Sequence, residues 1–405
     1  MLAPEPFFQP RGTPFSEYHR IKALTELGHR IDLVTYPIGA DVDLPNLRII
    51  RSSRPPWIRD VAIGPSLTKM VLDAALTVTA MRQSRRERYD AIHSHEEAGL
   101  LGVWLARRLR IPHLYDMHSS LPQQLTNFRA TGSALVRRVF EAMERKMVAD
   151  SRVVITICQE LQDTVIRMGA GDRSILIENV MGGDMEPTTD DASPNIRLQL
   201  GLDAERPIVL YTGTFEPYQG LDLLLDAMAI VQRRHPRAVL VVVGGEAGQV
   251  AGARDRAAAL GVDAVFTGRQ PAADIPAYLE ACDVLASPRI SGTNTPLKIY
   301  SYLRSGKPIV ATNLRTHTQV LSDAVAALAD PTPESFAEAI TRLLDDPSAG
   351  ERLAVAARQL AETRYSRASY VARTREAVRR LLGDDLPPVP ATSMESPTAG
   401  TRVEP

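Results

Sequence analysis

Residues 289–312, RISGTNTPLKIYSYLRSGKPIVAT, hold a loop, a helix and a strand in close succession. Thr295 is of the type that caps helix N-termini, and Pro296 suits the first helical position. Leu297, Tyr300 and Leu303 recur at helical spacing. Gly306 closes the element and Lys307-Pro308 stops it, which predicts a helix over 296–305. Upstream, Ser291, Gly292, Thr293 and Asn294 are small polar residues that let backbone N–H groups face outward. A loop of this kind feeding a helix N-terminus favours an anion, through unpaired amides and the helix dipole. Lys298, in the first turn, would add a full positive charge to a bound phosphate. A plain capped helix packed on a sheet fits the same letters, and both readings stand on this stretch alone.

At 405 residues the chain exceeds one ordinary core, so two domains are expected. Hydrophobic residues at 44% and charged residues at 23% describe a globular protein. A formal net charge of −1 suggests neither a nucleic-acid binder nor a trap for acidic substrates. Cys158 and Cys282 each lie in or beside an apolar run, which suits buried free thiols in a reducing compartment. No apolar run approaches the roughly 20 residues of a membrane span, so the expected location is cytoplasmic, with room for peripheral attachment to the inner face of the membrane.

Strand and helix patterns alternate along the whole chain. A strand tail at 1–4 precedes a loop, EPFFQPRGTPF, and a helix over 16–27; an α/β protein should open on a whole strand, so the first strand reads as truncated. Strands follow at 30–36 and 47–51, then a helix over 66–86 with a strongly basic end (Arg82, Arg85, Arg86, Arg88). Asp41 and Asp43 resemble a metal-binding pair but sit in a polar loop. His93 and His95 alternate on the strand 89–95, where they could ligate a metal, pack at the strand end or touch substrate. A helix over 98–109 leads to a strand over 112–116 and the polar cluster Met117-His118-Ser119-Ser120. The amphipathic helix 133–150 carries Arg137, Arg138, Arg145 and Lys146 away from its apolar side; a solvated face or a face toward anionic lipid would both produce that pattern. After a linker over 179–194, the alternation restarts at 208 and includes a helix expected over 315–322. Further helices cover 348–362 and 366–382, and the Pro/Ser/Thr-rich tail beyond Gly383 reads as disordered. Such alternation predicts two doubly wound parallel sheets, with domains over 1–185 and 186–365, a C-terminal helix over 366–383 returning to the first domain, and a tail over 384–405.

Several segments resemble retaining glycosyltransferases of family 4, which have the GT-B fold: two Rossmann-like domains facing a central cleft. PFFQPRGTP is similar to that family's N-terminal glycine loop. ALTELGHRIDLVTY (23–36), YDMH (115–118) and SILIENVMGGD (174–184) then follow in order, with YTGTFEPYQGLDLL, VVVGG, FTGR and SGKPIVAT after them. The resemblance implies that Gly12 lets the first loop approach the donor phosphate, and that His118, beside Asp116, contacts the transferred sugar. It also implies a nucleotide lying near Gly268, Arg269, Asn294 and Thr295. The chain departs from the pattern where the family places an Arg and a Lys after the first strand of its second domain: Thr214 and Gln219 stand there. The family's paired glutamates align with Thr293 and Ser301. Arg289 and Lys298 are the nearby cations that could replace the lost charge.

The implied activity is transfer of a hexosyl group from a UDP- or GDP-sugar to a lipid-linked or saccharide acceptor, with retention of configuration, in cell-envelope polysaccharide or glycolipid synthesis. Neither a metal nor a cofactor is implied, nor any nucleic-acid partner. A nucleotide-sugar epimerase of the same architecture and a degenerate, non-catalytic subunit remain alternatives. A dinucleotide oxidoreductase would need a G-x-G-x-x-G turn after an early strand, and none is present.

Overall fold

The computed structural model describes residues 1–8, 12–58, 61, 66–122, 134–179 and 195–383. The expected linker from 180 onward and the tail after 383 lie outside the described residues. The first sheet contains β1 (Leu2–Ala3), β2 (Ile31–Thr35), β3 (Leu47–Arg51), β4 (Ile92–His95), β5 (His113–Met117), β6 (Val153–Thr156) and β7 (Ser174–Leu176). Its spatial order is β3-β2-β1-β4-β5-β6-β7, all parallel where register is defined. The chain thus starts in the middle, steps outward twice, then crosses over and steps outward the other way.

That route fixes which helix covers which face. Helix α1 (Gly12–Glu26) joins β1 to β2 and packs Ile21 with Ala3, Phe7 and Leu33. Helix α2 (Leu67–Arg86) makes the return crossing, and α3 (Gly99–Leu109) follows β4. Leu72, Leu76 and Ala80 of α2 share one apolar cluster with Leu105 and Ala106 of α3, over Leu2, Val34 and Ile92 of the sheet. Helix α4 (Ala134–Asp150) sits beside α3, where Met147 lies against Gly99. Right-handed crossovers in opposite directions put α1 on one face and α2, α3 and α4 on the other.

After α5 (Gln159–Arg167) and the short α6 (Ile196–Gln199), the second sheet is built from β8 (Ile208–Thr212), β9 (Val239–Val243), β10 (Ala264–Gly268), β11 (Val284–Ser287), β12 (Ile309–Thr312) and β13 (Ala327–Ala329). The order is β10-β9-β8-β11-β12-β13, a doubly wound arrangement whose direction reverses between β8 and β11. Strands such as VLVVV are buried on both faces, as a parallel sheet covered by helices on each side requires. The helices are α7 (Leu221–Arg234), α8 (Ala247–Leu260), α9 (Ile275–Ala281), α10 (Lys298–Ser305), α11 (Arg315–Thr318), α12 (Pro333–Asp345), α13 (Pro347–Arg364) and α14 (Arg367–Leu382). Thr332 caps α12 by accepting from the Ser335 amide, with Pro333 opening the helix.

Two expectations about local structure are corrected. Helix α10 begins at Lys298, not 296, with Leu297 already in helical geometry at its N-cap and no side-chain cap from Thr295. The turn before it is tighter, closed by Ile299 N–H to Pro296 and Tyr300 N–H to Leu297. The segment after Leu314 holds only one helical turn rather than a helix to 322. The described residues cluster into two compact units, 1–116, 134–153 and 373–383 in one and 117–122, 154–179 and 195–372 in the other.

Close backbone approach shapes the ends of the second sheet. Gly244 has φ +122°, and a Cβ there would lie 1.9 Å from the Gly213 carbonyl oxygen. Gly244→Ala is expected to cost roughly 1–3 kcal/mol, from strained backbone and the displaced Gly213 loop, read as a lowered thermal midpoint; an unchanged midpoint would show the approach is not rigid.

Candidate functional site

In a doubly wound sheet, the loops leaving the two strands at the reversal point diverge and open a crevice beyond their C-terminal ends. Here those loops are 213–220, after β8, and 288–297, after β11. They are stitched together by Ile290 N–H donating to the Tyr218 carbonyl at 3.0 Å, and by Gly220 (φ +74°) lying against the Pro288 carbonyl. Thr312 Oγ1 donates to the Arg289 carbonyl at 2.5 Å, and Thr312 is itself held by the buried His317. His317 also reaches Ser287 Oγ at 2.8 Å, and burial pulls its pKa down to about 3. It is a neutral brace between β11 and β12.

Two cations enter the crevice. Lys298 Nζ is 3.8 Å from the centroid of the Tyr211 ring, buried, and without a hydrogen-bond partner. Burial, and secondarily the charge of Arg289, holds its pKa well below the ordinary lysine value. Arg289 stacks over the Tyr218 ring at 4.9 Å and donates to the Ser291 and Asn294 carbonyls at 2.8 and 3.2 Å. Among the described residues no carboxylate pairs with either. Tyr211, inside β8, and Tyr218, in the loop after it, are the aromatic seats of the two cations, and nothing in their local sequence singles them out.

The other expected donor contacts divide. Asn294 is a keystone: its Nδ2 donates to the His118 carbonyl at 2.7 Å, and its own carbonyl also accepts from Thr316 Oγ1 at 2.6 Å. The Thr293 carbonyl accepts from Gln319 Nε2 at 2.7 Å. Gln219 Oε1 is buried with no partner, and Thr214, exposed, accepts from the Tyr211 hydroxyl through its carbonyl at 2.6 Å. Ser301 Oγ bonds back to the Lys298 carbonyl at 3.0 Å within α10. Gly268 and Arg269 end β10, two strands from β8, and Arg269 forms an exposed ion pair with Glu246. Gly12 starts α1 with φ +53°, and nothing among the described residues lies within 4 Å of where a Cβ would stand.

The two catalytic candidates part company. His118 is buried in the second unit, beside Asn294. Asp116, in the first unit, is consumed by structure: its Oδ2 accepts from Arg20 Nε at 3.0 Å and faces His93 Nε2 at 3.3 Å, with Arg20 extending to Thr374 Oγ1. His93, His95 and Asp116 do bring ligand atoms within 4.8 Å of one another. Arg20 already neutralises the only carboxylate of that group, and burial pushes the His93 pKa down. The cluster lies at the C-terminal ends of β4 and β5, so it reads as strand-end packing. Asp41 pairs with Arg51 instead of a metal.

Sequence comparisons agree with this layout. The profile described as "Glycosyl transferases group 1" matches residues 192–360, and the one described as "Glycosyl transferase 4-like domain" matches 18–179. The chain belongs to glycosyltransferase family 4. D-inositol 3-phosphate glycosyltransferases of Corynebacterium glutamicum and Nocardia farcinica are similar to this glycosyltransferase, 28% identical over 74% of each chain and 29% identical over 71% of this chain and 68% of that one. Among solved structures, sucrose-phosphate synthase of Thermosynechococcus elongatus superposes with TM-score 0.72 at 21% identity, over 92% and 94% of the two chains. Anabaena HepE in complex with UDP gives 0.72 at 19%, over 93% and 98%. These likenesses establish the GT-B fold for the glycosyltransferase.

Two outcomes follow from its buried charges. Removing Arg20 strands Asp116 in the core, so Arg20→Met is expected to cost several kcal/mol, about 3–5, and Arg20→Met with Asp116→Asn distinctly less; denaturant titration compares them, and equal losses would deny the pair. For Lys298, the folded pKa lies below the unfolded one, so the unfolded chain holds the extra proton. The stability penalty is full below the folded pKa and fades as pH rises toward about 10.4, the unfolded value. Lys298→Met should therefore raise the thermal midpoint of the ligand-free protein, most at low pH; a lowered midpoint would overturn the unpaired-amine reading.

Proposed function

We propose that this glycosyltransferase moves a hexosyl group from a nucleotide sugar to an envelope saccharide or lipid-linked acceptor, with retention of anomeric configuration. The observation that carries the reading is the pair Lys298 and Arg289, two cations at the reversal point of the second sheet with no carboxylate between them among the described residues. A buried amine without a partner is costly unless an anion completes it, and a diphosphate supplies that charge. β10 lies about 10 Å from β8 at ordinary strand spacing, so a nucleoside running from the crevice toward Gly268 and Arg269 spans a suitable distance. HepE is a GT-B protein whose structures hold UDP and UDP-glucose, which favours uridine as the base.

In the reaction, the bond from the anomeric carbon to the diphosphate oxygen breaks as the acceptor oxygen bonds to that carbon, and the acceptor proton passes to the departing phosphate oxygen. Negative charge grows on the diphosphate, and fixed cations there lower the barrier more than they strengthen ground-state binding. Lys298 and Arg289 supply this charge in place of a divalent metal, so transfer is expected to survive chelation. Asn294 fixes the backbone at His118, whose side chain would touch the transferred sugar.

A calorimetric screen of UDP-, GDP- and dTDP-sugars tests this. Lys298→Ala and Arg289→Ala should each weaken donor binding about tenfold or more, the worth of one charge-assisted contact. Once pH exceeds the free pKa of Lys298, binding should take up a proton and weaken with further rise in pH, a dependence lost in Lys298→Met. NMR of the product should show the donor's anomeric configuration, with and without EDTA. Isomerised donor in the absence of acceptor would indicate an epimerase, and no donor binding a degenerate subunit.

A further inference from the structure

The layer formed by α2, α3 and α4 shows an unusual outer face. On α2 the inward stripe is Leu72, Leu76 and Ala80, yet the outward stripe is also apolar: Leu67 is 82% exposed and Met70 67%, with Val71 and Val78 beside them. The same stripe then continues as exposed Arg82, Arg85 and Arg86. A helix apolar on both sides has something to cover its second face. Helix α4 repeats the sequence, Leu135 (71% exposed) and Val139 leading to Arg145 and Lys146, and α3 carries Trp104 before Arg107 and Arg108.

These three helices lie on one face of the first sheet and each returns from the strands' C-terminal edge, so their apolar ends share that edge and their basic ends lie away from it. Trp57, 76% exposed in the connection from β3 to α2, adds an aromatic at the same edge. Acidic groups offset only part of the charge: Asp150 pairs with both Arg107 and Lys146, which leaves Arg82, Arg85, Arg86, Arg108 and Arg145 without an acidic partner among the described residues. Asp73, the one acid of α2, is engaged by the Tyr36 hydroxyl; Glu141 and Asp150 of α4 are paired with Arg137 and Lys146; Glu144 is buried. A chain with net charge −1 has therefore concentrated cations on one layer.

We propose that this face docks on an anionic lipid bilayer, with the apolar ends of α2 and α4 and the indoles of Trp57 and Trp104 entering the headgroup boundary and the arginines meeting lipid phosphates. An apolar belt followed by a basic belt is the arrangement interfacial helices use. A second copy of the chain is disfavoured as the occupant, since a two-fold contact through this face would set its arginines against themselves. The inference shares with the proposed function only the lipid-linked choice of acceptor.

Vesicle flotation of the full chain tests it, on phosphatidylcholine with and without phosphatidylglycerol. The protein should float with the anionic vesicles at low ionic strength and be released by high salt. Met70→Glu with Val78→Glu, both at exposed positions, should cut vesicle partition at least tenfold, and Arg82, Arg85 and Arg86 to Ala should do so on anionic vesicles alone. UDP-sugar affinity, measured on the same preparations, should stay at the wild-type value; its loss in the wild type would count against the donor site, not the docking face. Failure of the wild type to float, wild-type flotation by both variants, or a solution dimer that Met70→Glu with Val78→Glu dissociates would each overturn the inference.

Discussion

The amine of Lys298 sits on the face of Tyr211 without a counterion among the described residues, and the arrangement of the second unit makes that possible. A lysine in the first turn of a helix opposes the helix dipole, and burial adds to the cost. The surrounding structure holds it nonetheless. Tyr211 lies inside β8, α10 is anchored by Ile299, Tyr300, Tyr302 and Leu303 in the core, and Arg289 is fixed through Thr312 and His317. Stability given up at one point is returned by dense packing around it, as expected where a site must be ready for a charge that arrives with the ligand.

The sheet order explains why these groups meet. Tyr211 and Lys298 are 87 positions apart in sequence, but β8 and β11 are adjacent strands whose following segments diverge at the reversal point. Nothing local in the chain requires the encounter; parallel winding does. The same logic gathers Glu5, Glu17, His93, His95 and Asp116 near the reversal point of the first sheet. There the charges are matched internally: Arg20 holds Asp116, and burial followed by the neighbouring Glu5 carboxylate raises the Glu17 pKa, favouring its neutral form.

Much of the fold was legible in the sequence because the signals were local. Gly306 predicted the end of α10, and Thr332-Pro333 and the apolar repeat over 221–234 carry the same kind of local signal for α12 and α7. The site was legible only in part. Lys298 and Arg289 stood out as cations near a glycine-containing loop, yet their tyrosine seats depended on a strand pairing that single letters do not encode. The partners of Asp116 were illegible for the same reason, since Arg20 lies 96 residues away, and Thr374, which completes the group, lies 354 from Arg20. Thr295 looked like a cap because caps are recognised by type and spacing; the tighter turn at Pro296 removed the need for one.

The contrast between the two reversal points bears on how substrate charge is distributed. On the proposed reading, a crevice with Lys298 and Arg289 and no carboxylate beside them among the described residues draws a diphosphate, whereas one whose acids already share Arg20, imidazoles and a neutralised carboxyl has little to offer a charged group. Hydroxyls, which donate and accept at once, suit the second kind. A sugar transfer needs both environments: one that tightens on a leaving anion, and one that orients a neutral nucleophile without competing for it.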